Sequence, residues 1–228
     1  MESDFKEHPK TVAQDDFWAQ VKRTVNGQPV SQEQIDMIVA RVKSGLILQR
    51  GDKLLDLACG NGALSRYFFD DCDEFYGVDF SEVLIERAKH FFEAAPHRCF
   101  QLADVGDYIV SEKSPERFTK ALCYGSFSYF PEQVARLVLS TLHGKFKRVE
   151  RVFIGNLPDL DRHQQFYTDG LDHGHELKDY GSKIGIWRSE AEFRSMAEDC
   201  GWVAEFQRMP KEYYAAHYRY DVVLTRRV

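Results

Sequence analysis

The sequence predicts a doubly wound α/β fold, a mostly parallel sheet with helices on both faces. Short apolar runs of strand length alternate with runs of helical period from residue 52 onward. Acidic residues close three successive runs, and the first is followed at once by a glycine turn. The 228 residues, 43% of them hydrophobic, suit one domain with a sizeable core.

The elements follow in order. After a polar start, Ser31 and Gln34 form a capping-box pattern, and Ile35, Ile38, Val39 and Val42 recur at helical spacing up to Gly45. Residues 1–50 are therefore expected to form an N-terminal helical extension or lid, and residues 51–228 the main domain. Within it, strands are expected near 53–58, 74–79 and 98–103, with helices near 62–70 and 82–94 and a faint one near 106–114. A fourth strand near 119–125 leads to Pro131, well suited to open a helix carrying Val134, Leu137, Val138 and Thr141 to Gly144. A fifth strand lies in "RVFIGN".

Residues 156–186 then lose all sustained period and are rich in Asp, His, Tyr and Gly, which reads as an insertion on the substrate side. Ser189 and Glu192 form a second capping box before a helix faced by Phe193, Met196, Ala197 and Cys200, ending at Gly201. The runs "WVAEFQRM" and "HYRYDVVLT" suit an antiparallel hairpin at the sheet edge.

Composition narrows the function. A formal charge of −6 offers no attraction to a polyphosphate backbone, and the run "KFKR" at 145–148 reads as the solvated end of a helix. No apolar run reaches the roughly 18 residues of a membrane span, and "MESDFKEHPK" does not resemble a signal peptide. The expectation is a cytoplasmic protein with a small-molecule substrate and neither nucleic acid nor membrane as partner; oligomeric state is left open. Five widely spaced cysteines without a C-x-x-C pair read as small core residues.

The stretch "LLDLACGNGALSRYF" at 54–68 carries the first sign of a site. Gly60 and Gly62 permit a sharp turn and close approach of a ligand, and a helix beginning there would point free N–H groups at it. In such a sheet, ligands bind at the carboxyl ends of the strands beside the point where strand order reverses. Asp56 lies near the end of the first strand, Asp79 ends the second and Asp104 the third, three acids in register. Asp79 follows Gly62 by 17 residues, near the interval expected of a ribose-binding acid, and its carboxylate accepts from two vicinal hydroxyls at once. Asp104 falls where a purine amine would reach, with the Val105 N–H free to meet a ring nitrogen.

These residues resemble the class I S-adenosylmethionine-dependent methyltransferases, by motif over roughly residues 50–156 and by element order over the whole chain. "LLDLACGNG" resembles the family's first motif, with Ala58 in place of the first glycine of the fuller form; "YGVDFSEVLIERAK" resembles the second and "FQLADV" the third. The resemblance implies a Rossmann-like seven-stranded sheet with an antiparallel last strand, and S-adenosyl-L-methionine as cofactor. It also implies roles: Gly60 and Gly62, with Ala58 and Asn61 in the same turn, against the methionine part, and Asp56 orienting its amino group. Asp79 would hold the ribose, Phe80 would lie on adenine, Asp104 and Val105 would bind the base, and Tyr124 and Ser126 would cover the cofactor. An NAD(P)-dependent oxidoreductase is the rival reading, but Ser65 stands where a third glycine would be, and Asp104 has no dinucleotide role. A non-catalytic cofactor-binding scaffold is the other alternative.

Methyl transfer is an in-line displacement, so the protein must align a nucleophile and exclude water, and a hydroxyl acceptor needs a base as well. The segment "YGSFSYF" stands where base-amine methyltransferases carry an Asn/Asp-Pro-Pro-Tyr/Phe motif, and "NLPD" at 156–159 reads as a loop exit. A small acceptor, such as a sugar, a nucleotide-linked metabolite or a natural-product intermediate, is expected, with oxygen favoured as the methylated atom. In the insertion, His173 and His175 beside Asp172, and His163 after them, are candidate bases. Trp18, Tyr129 and Tyr167 are candidate substrate contacts, Trp18 and its neighbour Phe17 being either helix packing or a lid. "HGH" offers only two close imidazoles, so no metal is expected.

Overall fold

In the computed structural model, which describes residues 2–25 and 28–227, seven strands form one sheet. They are β1 (Lys53–Leu57), β2 (Glu74–Asp79), β3 (Arg98–Leu102), β4 (Lys120–Tyr124), β5 (Arg151–Pro158), β6 (Trp202–Gln207) and β7 (Arg219–Arg226). Their spatial order is β3-β2-β1-β4-β5-β7-β6, with β7 antiparallel to both of its neighbours and the first five mutually parallel. The central strands are apolar on both sides, as Leu54, Leu55 and Leu57 or Ala121, Leu122 and Cys123 show, because helices cover both faces.

One face carries α1 (Gln32–Leu46) and α2 (Glu82–Phe92), which bury Ile35, Ile38, Val42 and Ile85 against Phe75, Phe100 and Phe153. The other carries α3 (Val105–Ser111), α4 (Glu132–Gly144) and α5 (Glu190–Asp199), whose Tyr108, Leu139, Leu142 and Phe193 surround Phe146 and Trp202. Among the described residues no helix is long and apolar enough to cross a membrane.

Three local expectations change. The helix expected at 62–70 is only a 3₁₀ turn, Ser65–Phe68. Tyr67, Phe68, Phe69, Asp70 and Asp71 are weak helix formers, and the Ser65 hydroxyl donates to Asp56 Oδ2 at 2.7 Å. No regular helix therefore starts beside the glycines. The Ser31–Gln34 capping box does not form, because Gln34 is engaged elsewhere: its amide donates to Glu212 O at 3.1 Å and accepts from Tyr214 N at 2.9 Å. The box at Ser189 and Glu192 does form.

"NLPD" is not a loop exit, since β5 runs on to Pro158 through an irregularity between Ile154 and Leu157, where Asn156 takes φ +66°. Within the N-terminal segment, α1 packs so closely on the sheet that a Cβ on Gly45 would run into the Phe153 ring and lie 3.1 Å from Val223 Cγ2. Finally, residues 156–186 are anchored by apolar groups despite their lack of period: Phe166, Tyr167 and Leu177 pack into the α1 face, and Phe166 and Tyr167 meet the fully buried Trp187.

Candidate active site

The strand order reverses between β2 and β4 on either side of β1, and a cavity of about 470 Å³ opens at the carboxyl ends there. The three acids sit on its floor and rim, but as a staircase rather than a row. Asp56 pairs with Gly77, two residues short of Asp79, and Asp79 pairs with Leu102, two residues short of Asp104. Burial follows the steps: Asp56 and Asp79 are 3% and 5% exposed, while Asp104 lies at the open rim.

Each acid also has a structural task. Asp79 accepts from the Gly60 N–H through Oδ2 and from the Ser81 N–H through Oδ1, both at 2.9 Å, so the end of β2 pins the turn leaving β1. Asp104 caps α3, accepting from Gly106 N at 2.8 Å, and Val105 opens that helix with an N–H that has no intrahelical acceptor. Burial pushes Asp56 up to about 7; the Ser65 hydrogen bond pulls it down and the nearby Asp79 charge pushes it further up. Burial likewise raises Asp79 to about 6 against the hydrogen bonds from Ser81 and Gly60.

The turn itself is held in left-handed backbone, with φ +64° at Ala58, +58° at Gly60 and +75° at Gly62. Gly60 lines the cavity, where a Cβ would come within 3.1 Å of Val21. Gly62 is not among the lining residues: it faces away, and a Cβ there would press on Phe92 and Phe100 at 3.0 and 3.3 Å. Its glycine serves packing rather than ligand approach. Asn61 borders the cavity, yet its side chain is bonded within the protein, donating to Phe17 O at 2.8 Å and Gln20 Oε1 at 2.9 Å and accepting from Ala63 N at 3.1 Å. It staples the N-terminal segment to the turn. Ala58, Phe80, Tyr124 and Ser126 complete the expected cofactor wall, and all border the cavity.

The roof comes from three segments. Phe5 and Trp18 descend from the N-terminus, Tyr129 from the loop after β4 and Tyr180 from the insertion. Phe5 meets Tyr129 edge-on at 5.1 Å, and the Tyr129 hydroxyl donates to Lys183 O at 2.9 Å, joining all three segments. Phe17 and Trp18 divide the two readings between them, for Phe17 packs on Phe91 and Phe92 while Trp18 borders the cavity.

The expected bases and one substrate residue do not reach this space. His173 lies in a clasp of its own, Nδ1 3.0 Å from Glu176, Nε2 2.9 Å from Asp169, and its ring stacked on Tyr167 at 4.0 Å. These hydrogen bonds, Glu176 first, hold its pKa above the ordinary value. Tyr167 is thereby committed to the insertion's own packing and donates to Glu176 at 3.2 Å. His175 is 80% exposed, and His163 bonds Leu160 O through Nδ1 at 2.7 Å. Among the described residues no histidine borders the cavity.

Sequence reasoning overlooked Gln20, Val21, Arg23, Leu84 and Tyr180, all of which border it. Gln20 is 2% exposed and ties the segment to itself through Ala13 O at 2.7 Å. Leu84 lies within the second motif, but Gln20, Val21, Arg23 and Tyr180 belong to no motif or periodic run, so only the fold brings those four to the site.

Comparison with known proteins agrees with this geometry. Residues 54–147 match a family model described as a methyltransferase domain. No curated protein is a match in sequence. Among solved structures, the DhpI–SAM–HEP complex superposes with a TM-score of 0.66 at 16% identity, covering 99% of this chain and 95% of that one. Magnesium protoporphyrin IX methyltransferase (ChlM) from Synechocystis PCC 6803 with bound SAH gives 0.62 at 18% identity, covering 99% and 94%. The methyltransferase domain of bacterial CtHen1 gives 0.61 at 18%, covering 86% and 98%. Residues 54–147 thus carry a methyltransferase domain, and the chain as a whole has the fold of methyltransferases crystallised with S-adenosylmethionine or S-adenosylhomocysteine.

Proposed function

We propose that the chain methylates a small molecule at a nucleophile that needs no histidine base. The observation that carries this is the cavity wall: acids at the ends of β1 to β3, aromatic groups above, and every candidate histidine outside. The residues present suit the cofactor. The Gly60 wall leaves room that a side chain would narrow, and Asp79 keeps spare lone pairs after serving two N–H groups, since an ionised carboxylate accepts about four hydrogen bonds. Asp79 would hold the ribose hydroxyls, Asp104 and the Val105 N–H the base, Phe80 its face, and Asp56 the amino group. When bound, S-adenosylmethionine supplies an electrophilic methyl group on a sulfonium.

The chain's own work is then alignment and exclusion of water. Asp56 would face the cationic amino group of the ligand, and Trp18, Tyr129 and Tyr180 would roof the acceptor. An amine arriving deprotonated, or an oxygen already ionised, needs no proton removed before attack, which fits a wall without imidazole. This favours an oxyanion over a neutral hydroxyl as the oxygen acceptor. The test is turnover of methyl-labelled cofactor with a metabolite extract, followed by identification of the labelled product. Label in an ester or an N-methyl group of a small molecule supports the reading, whereas label in a neutral-alcohol ether, or in none, contradicts it.

A further inference from the structure

The cavity is electrically lopsided. Its acids line the β1 to β3 side, and Arg23 is the single cationic side chain among its lining residues. That guanidinium lies over the ring of Tyr124, the last residue of β4, with 5.0 Å from Cζ to the centroid. Among the described residues no carboxylate pairs with it. It also sits against Gly125, just past the end of β4: a Cβ built there would be 2.8 Å from Arg23 Nη2 and 3.7 Å from Asn156 Nδ2.

Asn156 adds an independent sign. Its backbone is fully engaged, the N–H on Asp221 Oδ1 at 2.8 Å and the carbonyl on the Arg219 guanidinium. Its left-handed φ of +66°, at the irregularity in β5, sets the side chain beside Gly125. The amide nonetheless has no hydrogen-bond partner among the described residues, and Oδ1 is buried. Oδ1 is an acceptor that an anion does not satisfy; what Asn156 offers an anion is its unbonded Nδ2 donor, which faces Gly125 on the same side as the Arg23 guanidinium.

We propose that Arg23 and Asn156 form an oxyanion subsite that holds a carboxylate, phosphonate or phosphate group of the methyl acceptor. The inference rests on the methyltransferase reading and specifies its substrate class. Two arguments place the acceptor here. In a sheet of this order the nucleoside part of a ligand lies over the first three strands, so the ends of β4 and β5 are left to the second substrate. A guanidinium beside the point of transfer would repel a sulfonium unless an anion stood between them. Guanidinium and amide N–H groups together match the fork of an oxyanion.

The test uses the whole chain saturated with S-adenosylhomocysteine, titrated with benzoate, phenylphosphonate and the neutral benzamide by ligand-observed NMR. The anions are expected to bind in the millimolar range and benzamide at least tenfold more weakly. Arg23→Gln should weaken the anions at least tenfold, Arg23→Lys should recover part of the loss, and Asn156→Asp should abolish binding by adding a like charge. S-adenosylhomocysteine affinity should stay within threefold in all three variants. Equal binding of benzamide and benzoate, or anion binding that survives Arg23→Gln, overturns the proposal. A parallel loss of S-adenosylhomocysteine in Arg23→Gln overturns it too, assigning the guanidinium to the cofactor's own carboxylate. If the unaltered chain binds S-adenosylhomocysteine but no anion, this inference alone falls; if it does not bind S-adenosylhomocysteine, the methyltransferase reading falls with it.

Discussion

The carboxylate of Asp79 and the N–H of Gly60 are 2.9 Å apart, so one side chain at the end of β2 fixes the turn that leaves β1. The same carboxylate faces the cavity, which couples the shape of the turn to ligand binding. Asp79→Asn should therefore lower affinity for S-adenosylhomocysteine by roughly tenfold to a hundredfold, the loss of one or two charge-assisted hydrogen bonds partly offset by water. Asp79→Ala should in addition destabilise the fold by about 2–4 kcal/mol, because the N–H groups of Gly60 and Ser81 lose their acceptor. Calorimetric titration and thermal unfolding measure the two effects, and an unchanged affinity would remove Asp79 from the site.

The raised carboxyls give a pH dependence of known sign. Asp56, at about 7, and Asp79, at about 6, hold protons in the free native protein that the unfolded chain releases near pH 4. Their contribution to stability is therefore full below about pH 4 and is lost as the pH rises through 6 to 7. A bound ammonium favours the ionised forms, so affinity for S-adenosylhomocysteine should rise from pH 5.5 to 7.5 and then level off. Asp56→Asn should flatten that rise while raising stability at pH 8 by about 2 kcal/mol. A pH-independent affinity in the unaltered chain would separate both acids from the ligand.

Ala58 occupies left-handed backbone at φ +64°, a conformation costing a residue with a Cβ roughly 1–2 kcal/mol. Glycine there has no such cost but gives up roughly 0.5–1 kcal/mol of chain entropy. Ala58→Gly is expected to stabilise by about 0.5–1 kcal/mol, a rise of about 1–4 °C in Tm. A lower Tm would show that the methyl group packs to advantage.

Alanine at His163, His173 or His175 should leave kcat within about threefold of the unaltered chain, since none borders the cavity. A true general base would cost roughly a hundredfold or more. His173→Ala should instead loosen the insertion, because it removes the clasp on Asp169 and Glu176 and the stack on Tyr167. Faster amide exchange across residues 167–177 reports this. A hundredfold fall in kcat for any of the three would return the base to the insertion.

What was legible in the sequence followed from local rules. Apolar runs bounded by Asp79 or Asp104 give parallel strands, and Ser189 with Glu192 gives a capped helix, whatever the rest of the chain does. The acidic side of the cavity was legible for the same reason, because Asp56, Gly60, Asp79 and Asp104 lie at strand ends that the period marks. The opposite side was not. Arg23 and Gln20 reach the cavity only because Asn61 staples their segment to the turn, and that contact spans 41 residues of sequence. The insertion misled for a related reason: its histidines have the residue type of a base, but Asp169, Glu176 and Tyr167 lie near in sequence and capture His173 locally. Gln34 shows the same competition, leaving a cap for residues 212–214.

The measurement that bears most directly on the central claim is calorimetric titration of the unaltered chain with S-adenosylmethionine, S-adenosylhomocysteine and NADH at pH 7.5. The account predicts that both sulfur ligands bind with one site per chain, that Asp79→Asn weakens both, and that NADH gives no heat of binding. Binding of NADH with neither sulfur ligand at millimolar concentration would contradict it.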